Sequence, residues 1–352
     1  MVLCLAAMAD GGVDGGVGSD AGLTYDAGNP ASWRLSAKLG KGSLRDALIA
    51  DLTFGRKDAG IGESALTKEE AEALLGDPRA ELIYGDKTVS IVAPSMVTRH
   101  RQEHIDLMKR FLLPERVEAG VKFMKEKEAV LEATEKRTGV DRQVIIGILM
   151  WESKLGTITG DFLAFNALAS QAFFIDEANA VALARDDEKA LLSPGAPAKK
   201  SKKKPTEEEL AKLAAAKEAA EQAQARRVES IRGRARRNLL ALVRQCKTRG
   251  IDPLGVKGSW AGALGFPQFM PASLRWAEDG NADGKIDLFD MDDAIASVGR
   301  YLSSAGFKKS AHDAVYDYNH EEAYVQGVLA FADALKTYEA PDGGAITGAA
   351  GR

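Results

Sequence analysis

From Val144 to Trp151 every position is apolar except Gly147, and Glu152 closes the run. A segment hydrophobic on all sides is buried in a core. This one is too short to span a bilayer, so the pattern predicts a buried helix. Asp141 is placed to cap its start and Gly156 to stop it in a left-handed turn. Upstream, Val117, Val121, Met124 and Leu131 recur at helical spacing, which predicts one amphipathic helix over Pro114–Arg137, opened by its proline and ended by Gly139. Thr67-Lys68-Glu69-Glu70 is a capping box opening a short helix through Leu75. Asn166–Phe174 is a further apolar helical piece, and Asn238–Val243 resumes the packed pattern. Ile295, Val298 and Leu302 share a face over Ala294–Leu302, as do Tyr324, Val328, Phe331 and Leu335 in a last helix. The fold class expected is mainly α.

The polar stretches divide the chain. Residues 1–30 form a leader whose Gly/Asp-rich part, Gly11–Gly28, reads as a flexible tether. A small N-terminal region of weak helical pieces and turns covers 31–96. Residues 97–185 and 235–338 carry the strong patterns. Between them, 186–234 reads as an insertion: Pro194, Pro197 and the run Lys199, Lys200, Lys202, Lys203, Lys204 give way to an Ala/Glu/Lys helix. Such lysine runs bind anionic polymers or simply solubilise. Residues 339–352 read as a loose tail.

Bulk composition adds mostly exclusions. The 352 residues are 45% hydrophobic and 28% charged, with a formal net charge of -4, so no basic excess points to nucleic acid. Four histidines without paired spacing argue against a zinc site, and Cys4 and Cys246 form no disulfide framework. Val2–Met8 resembles the tail of an apolar leader, with Cys4 as a candidate lipid anchor. No transmembrane span is expected.

Three stretches carry candidate chemistry. A carboxylate at the end of a buried helix has two reasons to hold its proton: apolar walls and the negative end of the helix dipole both disfavour its anion. That is how a general acid is made to work near neutral pH. The alternative at Glu152 is a glutamate that has reached solvent at a helix end. Next, Lys257–Pro271 places glycines and a proline among small residues and aromatics, a tight loop that backbone can bring close to a ligand. Ser259 and Gln268 are its polar groups; a structural corner between helices is the competing reading. Last, Asp279–Asp290 nearly matches the calcium loop pattern. Asp279, Asn281 and Asp283 offer side-chain oxygens, Lys285 a carbonyl, Asp287 the ninth position and Asp290 the twelfth. Aspartate in place of the usual glutamate at twelve reaches an ion by one oxygen and weakens the site.

These landmarks, in this order, resemble the membrane-bound lytic murein transglycosylase B family. They are a buried helix ending in Glu-Ser with Gly soon after, the loop at 258–271, the EF-hand-like loop and its helix, and Tyr318-Asn319 before the last helix. The resemblance covers about Thr98 to Tyr338, interrupted by the insertion. It implies a lysozyme-like helical catalytic domain and cleavage of the β-1,4 bond between N-acetylmuramic acid and N-acetylglucosamine in peptidoglycan, leaving 1,6-anhydromuramyl ends. It implies Glu152 as sole acid and base, and Ser259, Gln268, Tyr301, Tyr318, Asn319 and Tyr324 along the saccharide groove, with Trp260 and Phe266 as further stacking candidates. Calcium would be structural, with no organic cofactor. The place would be the bacterial cell envelope, periplasmic or attached to the outer membrane. The alternatives are a hydrolase of the same fold and a catalytically silent peptidoglycan-binding module. The chain departs from the family pattern at Lys154-Leu155, at Phe266-Pro267, at Asn166, and at Ile175-Asp176-Glu177, where an arginine pair is usual.

Overall fold

The computed structural model describes residues 35–54, 65–81, 85–192 and 206–338. The apolar leader with Cys4, the Gly/Asp-rich stretch, the lysine run and the tail past Tyr338 lie outside the described residues. Helices α1 (Leu35–Leu39), α2 (Ser43–Thr53), α3 (Lys68–Gly76) and α4 (Gly85–Val92) precede α5 (Pro94–Phe111). Next come α6 (Pro114–Glu126), α7 (Glu128–Thr138) and α8 (Arg142–Ser153). Strand β1 (Phe162–Leu163), α9 (Ala164–Phe173), α10 (Ile175–Leu192) and α11 (Glu207–Arg249) lead to strand β2 (Lys257–Gly258). A 3-10 turn at Pro271–Trp276, then α12 (Met291–Ser304), α13 (Ala311–Tyr318) and α14 (Glu322–Thr337), complete the chain.

Packing divides these elements into two units. Among the described residues, one unit takes 102–161 and 263–338, and the other takes 35–101 and 162–262. These boundaries fall at different places from the sequence segments.

The first unit is built around α8. All of Val144–Ser153 is buried, as the uninterrupted apolar run requires. Trp151 packs at 4.8 Å from the Phe111 ring and edge-on at 5.1 Å from Tyr324. Helix α14 approaches closely because it presents Gly327 to the indole. A Cβ there would lie 2.4 Å from Trp151 Cζ3. Gly327→Ala would gain about 1 kcal/mol of helix propensity but overpack a fully buried aromatic, at a cost of about 1–3 kcal/mol. The net result expected in urea melts is destabilisation; a more stable variant would show that the contact is looser than described.

Three sequence expectations are corrected here. The single helix over Pro114–Arg137 is two, because Lys127 leaves helical geometry at φ -111°, ψ 21°. Its ammonium reaches Asp292 on α12 at 2.7 Å. Asp141 stands at the N-cap of α8 but its side chain makes no cap bond; it accepts instead from Lys336 Nζ at 2.7 Å, a charge-assisted bond and so the stronger one. Helix α8 ends before Gly156: Lys154, Leu155 and Gly156 take φ of 47°, 56° and 86° in succession. Lys154 N and Leu155 N turn back to the Met150 and Leu149 carbonyls at 3.1 and 3.0 Å, satisfying the end of the helix. The Thr67 capping box and the left-handed Gly139 stop, at φ 71°, are present as expected.

In the second unit α11 packs along α9, α10 along α4, and β1 pairs antiparallel with β2 through Phe162–Gly258 and Leu163–Lys257. Helix α11 runs 43 residues from a Thr206 capping box to a left-handed Gly250. Its first half is exposed, and it then buries Val228, Ile231, Ala235, Leu239 and Leu242. The expected change of character near 234 therefore falls inside one continuous helix.

Candidate active site

Glu152 is the last but one residue of α8 and is 3% exposed. Tyr324, wholly buried on α14, donates its hydroxyl to Glu152 Oε1 at 2.9 Å. The solvent-exposed alternative for Glu152 is therefore excluded. Beside it, Ser153 donates its hydroxyl to the Leu149 carbonyl at 3.2 Å and accepts from Gly156 N at 3.0 Å, which ties the irregular turn to the helix.

The loop after β2 folds back on itself. Leu264 and Phe269 bridge by backbone bonds of 2.8 and 3.0 Å, with Gly265 at φ 67° and Gln268 at φ 51° inside the turn. Gln268 Nε2 donates to the Gly265 carbonyl at 2.8 Å. This turn and the C-terminal part of α13 close a cavity of about 190 Å³, lined by Glu152, Gln268, Phe269, Met270, Ser273, Tyr301, Asp317, Tyr318, Asn319 and His320.

Aromatic rings make one wall. Tyr301 and Tyr318 meet edge to face at 4.8 Å, Trp276 joins Tyr301 at 4.7 Å, and Phe269 lies 5.7 and 5.9 Å from Tyr301 and Tyr318. Tyr318 donates to the Pro267 carbonyl at 2.6 Å. Tyr301 points its hydroxyl at Asp317, 3.1 Å from the carbonyl and 3.2 Å from Oδ2. Burial first, and then the Asp317 charge and hydrogen bond, push the Tyr301 phenol above its ordinary value, so it stays neutral. Asn319 caps the end of α13 and is 4% exposed. Its Oδ1 has no hydrogen-bond partner among the described residues, and such a buried polar atom calls for an explanation.

Of the groove residues expected from sequence, Gln268, Tyr301, Tyr318 and Asn319 share the cavity with Glu152, and Tyr324 stands behind it as the carboxyl's hydrogen-bond donor. Ser259 is buried in the other unit, as a neighbour of Trp260, which packs against that unit's core. Phe266 is partly buried against the first unit's core and edge-on to Phe289 at 6.1 Å. Asn166 is buried in the second unit, where Nδ2 donates to the Arg79 carbonyl at 3.0 Å. Phe269, Met270, Ser273, Asp317 and His320 are cavity residues to which the sequence assigned no role. All lie inside or next to the quoted motifs, so their neighbourhood was the only available signal.

The acidic loop is compact. Asp279 accepts from Asp283 N and Gly284 N at 3.3 and 2.8 Å, Asn281 from Asp283 N at 2.9 Å, Asp283 from Lys285 N at 2.8 Å, and Asp287 from Phe289 N at 2.9 Å. Asp290 caps α12, accepting from Asp292 N and Asp293 N at 2.8 and 3.3 Å. Asp293, which the sequence reading passed over, is 1% exposed and braces the loop from beneath, taking Gly280 N and Asp287 N at 2.7 Å each. Among the described residues no three His, Cys, Asp or Glu side chains converge as a metal-binding group. The expected positions Asp279, Asn281, Asp283, Lys285, Asp287 and Asp290 lie along this one loop without three of their carboxylates converging on one point. The reason is local: short carboxylates reach the loop's own N–H groups. A carboxylate that accepts one or two such bonds keeps lone pairs for a cation, so the first five positions fit calcium in kind. Asp290 caps its helix through Oδ1 alone, which leaves Oδ2 to face a cation.

Residues 86–316 match the family model described as Transglycosylase SLT domain. The chain is similar to membrane-bound lytic murein transglycosylase B of Escherichia coli (strain K12), with 28% identity over 208 residues that cover 59% of this chain and 43% of that protein. The match thus spans less than half of that relative's length. Among solved structures the fold is shared with the Escherichia coli lytic transglycosylase SLT35 in complex with bulgecin A, at TM-score 0.55 and 18% identity over 87% of this chain and 96% of that one. It is shared also with SLT35 in complex with calcium, at TM-score 0.53, 18% identity and the same coverage.

Proposed function

Because this chain belongs to the transglycosylase SLT domain family, we propose that it is a lytic transglycosylase of peptidoglycan with Glu152 as acid and then base. The observation that carries this reading is the Glu152 carboxyl itself, buried in the cavity wall and held by Tyr324. Burial favours a carboxyl's protonated form and a donated hydroxyl favours its anion, and Glu152 meets both conditions. In the first step Glu152 gives its proton to the glycosidic oxygen as the bond from that oxygen to the anomeric carbon breaks. In the second the muramyl 6-hydroxyl oxygen bonds to the anomeric carbon and its proton returns to Glu152. No water is consumed, and the nucleophile acts within its own sugar at high effective concentration.

Asn319 suits the N-acetyl group of the reacting sugar. Its Oδ1, without a partner among the described residues, is an acceptor for the acetamido N–H, which would hold the acetyl oxygen near the developing positive charge. Tyr301 and Tyr318 offer ring faces and Gln268 an amide to the glycan. Ser259 is kept as a substrate contact only on the family resemblance.

Hydrolysis is the second reading, and one residue favours it: Asp317 is another carboxylate in the cavity lining, and hydrolytic glycosidases use two. Mass spectrometry of digested sacculi separates the readings. Anhydro ends support the proposal, fragments heavier by one water support hydrolysis, and sacculus binding without soluble fragments leaves only a binding module. The relative's name places that protein at a membrane. Among the described residues no helix is long and apolar enough to cross one. A site of action in the bacterial cell envelope follows from the substrate.

Calcium is proposed as a structural ion at Asp279, Asn281, Asp283, Lys285, Asp287 and Asp290, supported by the residue types and spacing and by the SLT35 calcium complex. Binding only the folded state would add about 2.7 kcal/mol at a hundredfold excess over Kd. The melting temperature is therefore expected to rise with calcium in the wild type and not in Asp279→Ala. An unchanged wild-type melt at saturating calcium would reduce the loop to an acidic turn.

A further inference from the structure

Helix α11 changes sign along its length. From Arg226 to Arg249 it carries eight arginines and one lysine against a single acid, Glu229, in a chain whose overall formal charge is -4. Charge of one sign gathered on one element raises the local concentration of anions. The same stretch borders a cavity of about 390 Å³ in the second unit, larger than the one beside Glu152. Three guanidinium groups line it, Arg236, Arg237 and Arg244, against one carboxylate, Asp51.

The three arginines stand in different situations. Arg244 is 6% exposed and its Nη2 donates to the Asp51 and Phe54 carbonyls, the latter at 2.9 Å, so it fixes the end of α2 as one wall. Arg236 is half-committed, with Nη2 2.6 Å from Asp51 Oδ2. A guanidinium has five N–H donors, and this bond uses one. Arg237 is exposed and has no acidic partner among the described residues. Gly233, one turn earlier, opens the floor: a Cβ there would sit 3.4 Å from Arg237 Nη1. Glycine inside a helix costs about 1 kcal/mol against alanine, and here it leaves room where a side chain would fill the cavity. Phe54, 71% exposed, and Leu240 give the rim an apolar side.

We propose that this cavity binds an oxyanion, a carboxylate or phosphate group, gripped by Arg237 and Arg236 while the body of the ligand lies on Phe54 and Leu240. The planar fork of a guanidinium matches both groups in paired hydrogen bonds, and among the described lining residues three cations against one anion leave two positive charges to face a ligand. The site lies in the unit that does not contain Glu152, so the proposal stands apart from the reading of the reaction. The group has two sources, the free C-terminal carboxylate of a peptide or a phosphate.

The test is calorimetric titration of the full chain at low ionic strength with inorganic phosphate and, separately, with a short peptide bearing a free C-terminal carboxylate. Wild type, Arg237→Glu and Gly233→Leu are compared. Saturable one-to-one binding of either probe is expected, weakened at least tenfold in both variants while their thermal melts stay at or above that of wild type. Phosphate alone assigns the phosphate source, and peptide alone the carboxylate. Binding of neither probe, or binding by the variants equal to wild type, overturns the proposal. A melt of Arg237→Glu well below wild type also counts against it, since an exposed gripping residue should not be needed for folding.

Discussion

Glu152→Gln is expected to lose product formation by about 10²–10⁴-fold, the usual contribution of a positioned acid–base group, with an unchanged melt. The substitution keeps the side chain's size, and the amide oxygen can still accept the Tyr324 hydroxyl bond that now reaches Oε1 at 2.9 Å. What disappears is the proton. Because this one group serves both steps of the proposed reaction, neither leaving-group protonation nor deprotonation of the 6-hydroxyl has a substitute on the enzyme. Release of anhydro fragments from sacculi measures the loss. A variant that releases them at the wild-type rate would remove Glu152 from the chemistry, whatever its burial.

Gly265→Ala is expected to produce the largest loss of stability among single-methyl changes near the site, about 2–5 kcal/mol. Two costs add. At φ 67° an L side chain pays about 1–2 kcal/mol. The new Cβ would also lie 2.3 Å from Leu288 Cβ and 2.4 Å from the Leu288 carbonyl oxygen, backbone that cannot swing aside, for about 1–3 kcal/mol of overpacking. Phe266 N bonds that same carbonyl at 2.8 Å, and Gln268 rests its amide on Gly265 O. A shift to relieve the clash therefore moves a cavity residue, and activity should fall beyond what the melt explains. Urea denaturation and sacculus turnover on one preparation give both numbers. A wild-type melt would mean the loop relaxes freely and does not hold the cavity.

The helices with strong apolar periodicity were legible: α8, α12 and α14 lie where the pattern placed them, because burial of one face is the main force on each. The run ahead of Glu152 was legible for the same reason, but it left open whether the carboxyl itself reaches solvent, which the Tyr324 contact decides. What periodicity cannot register is a break of one residue, so Lys127 passed unnoticed between two helices whose apolar faces stay aligned. Nor can it choose between competing partners: Asp141 reads as a cap until Lys336, distant in sequence, takes its carboxylate. Ser259 and Gln268 sit in one short motif, yet packing assigns them to different units; a motif's continuity says nothing about which core each half joins. Asp293 stands just outside the Ala294–Leu302 pattern and carries no signal of its own. Its role emerges only once Gly280 and Asp287 fold back over it.

Helix α14 carries two attachments to α8, Gly327 against the indole of Trp151 and the Tyr324 hydroxyl against Glu152. They sit about one turn apart, so the scaffold and the reacting group share a single hinge point. Warming that loosens this seam by a few tenths of an ångström would misaim the carboxyl while leaving helical content untouched. Heat inactivation is therefore expected some degrees before the circular dichroism signal falls.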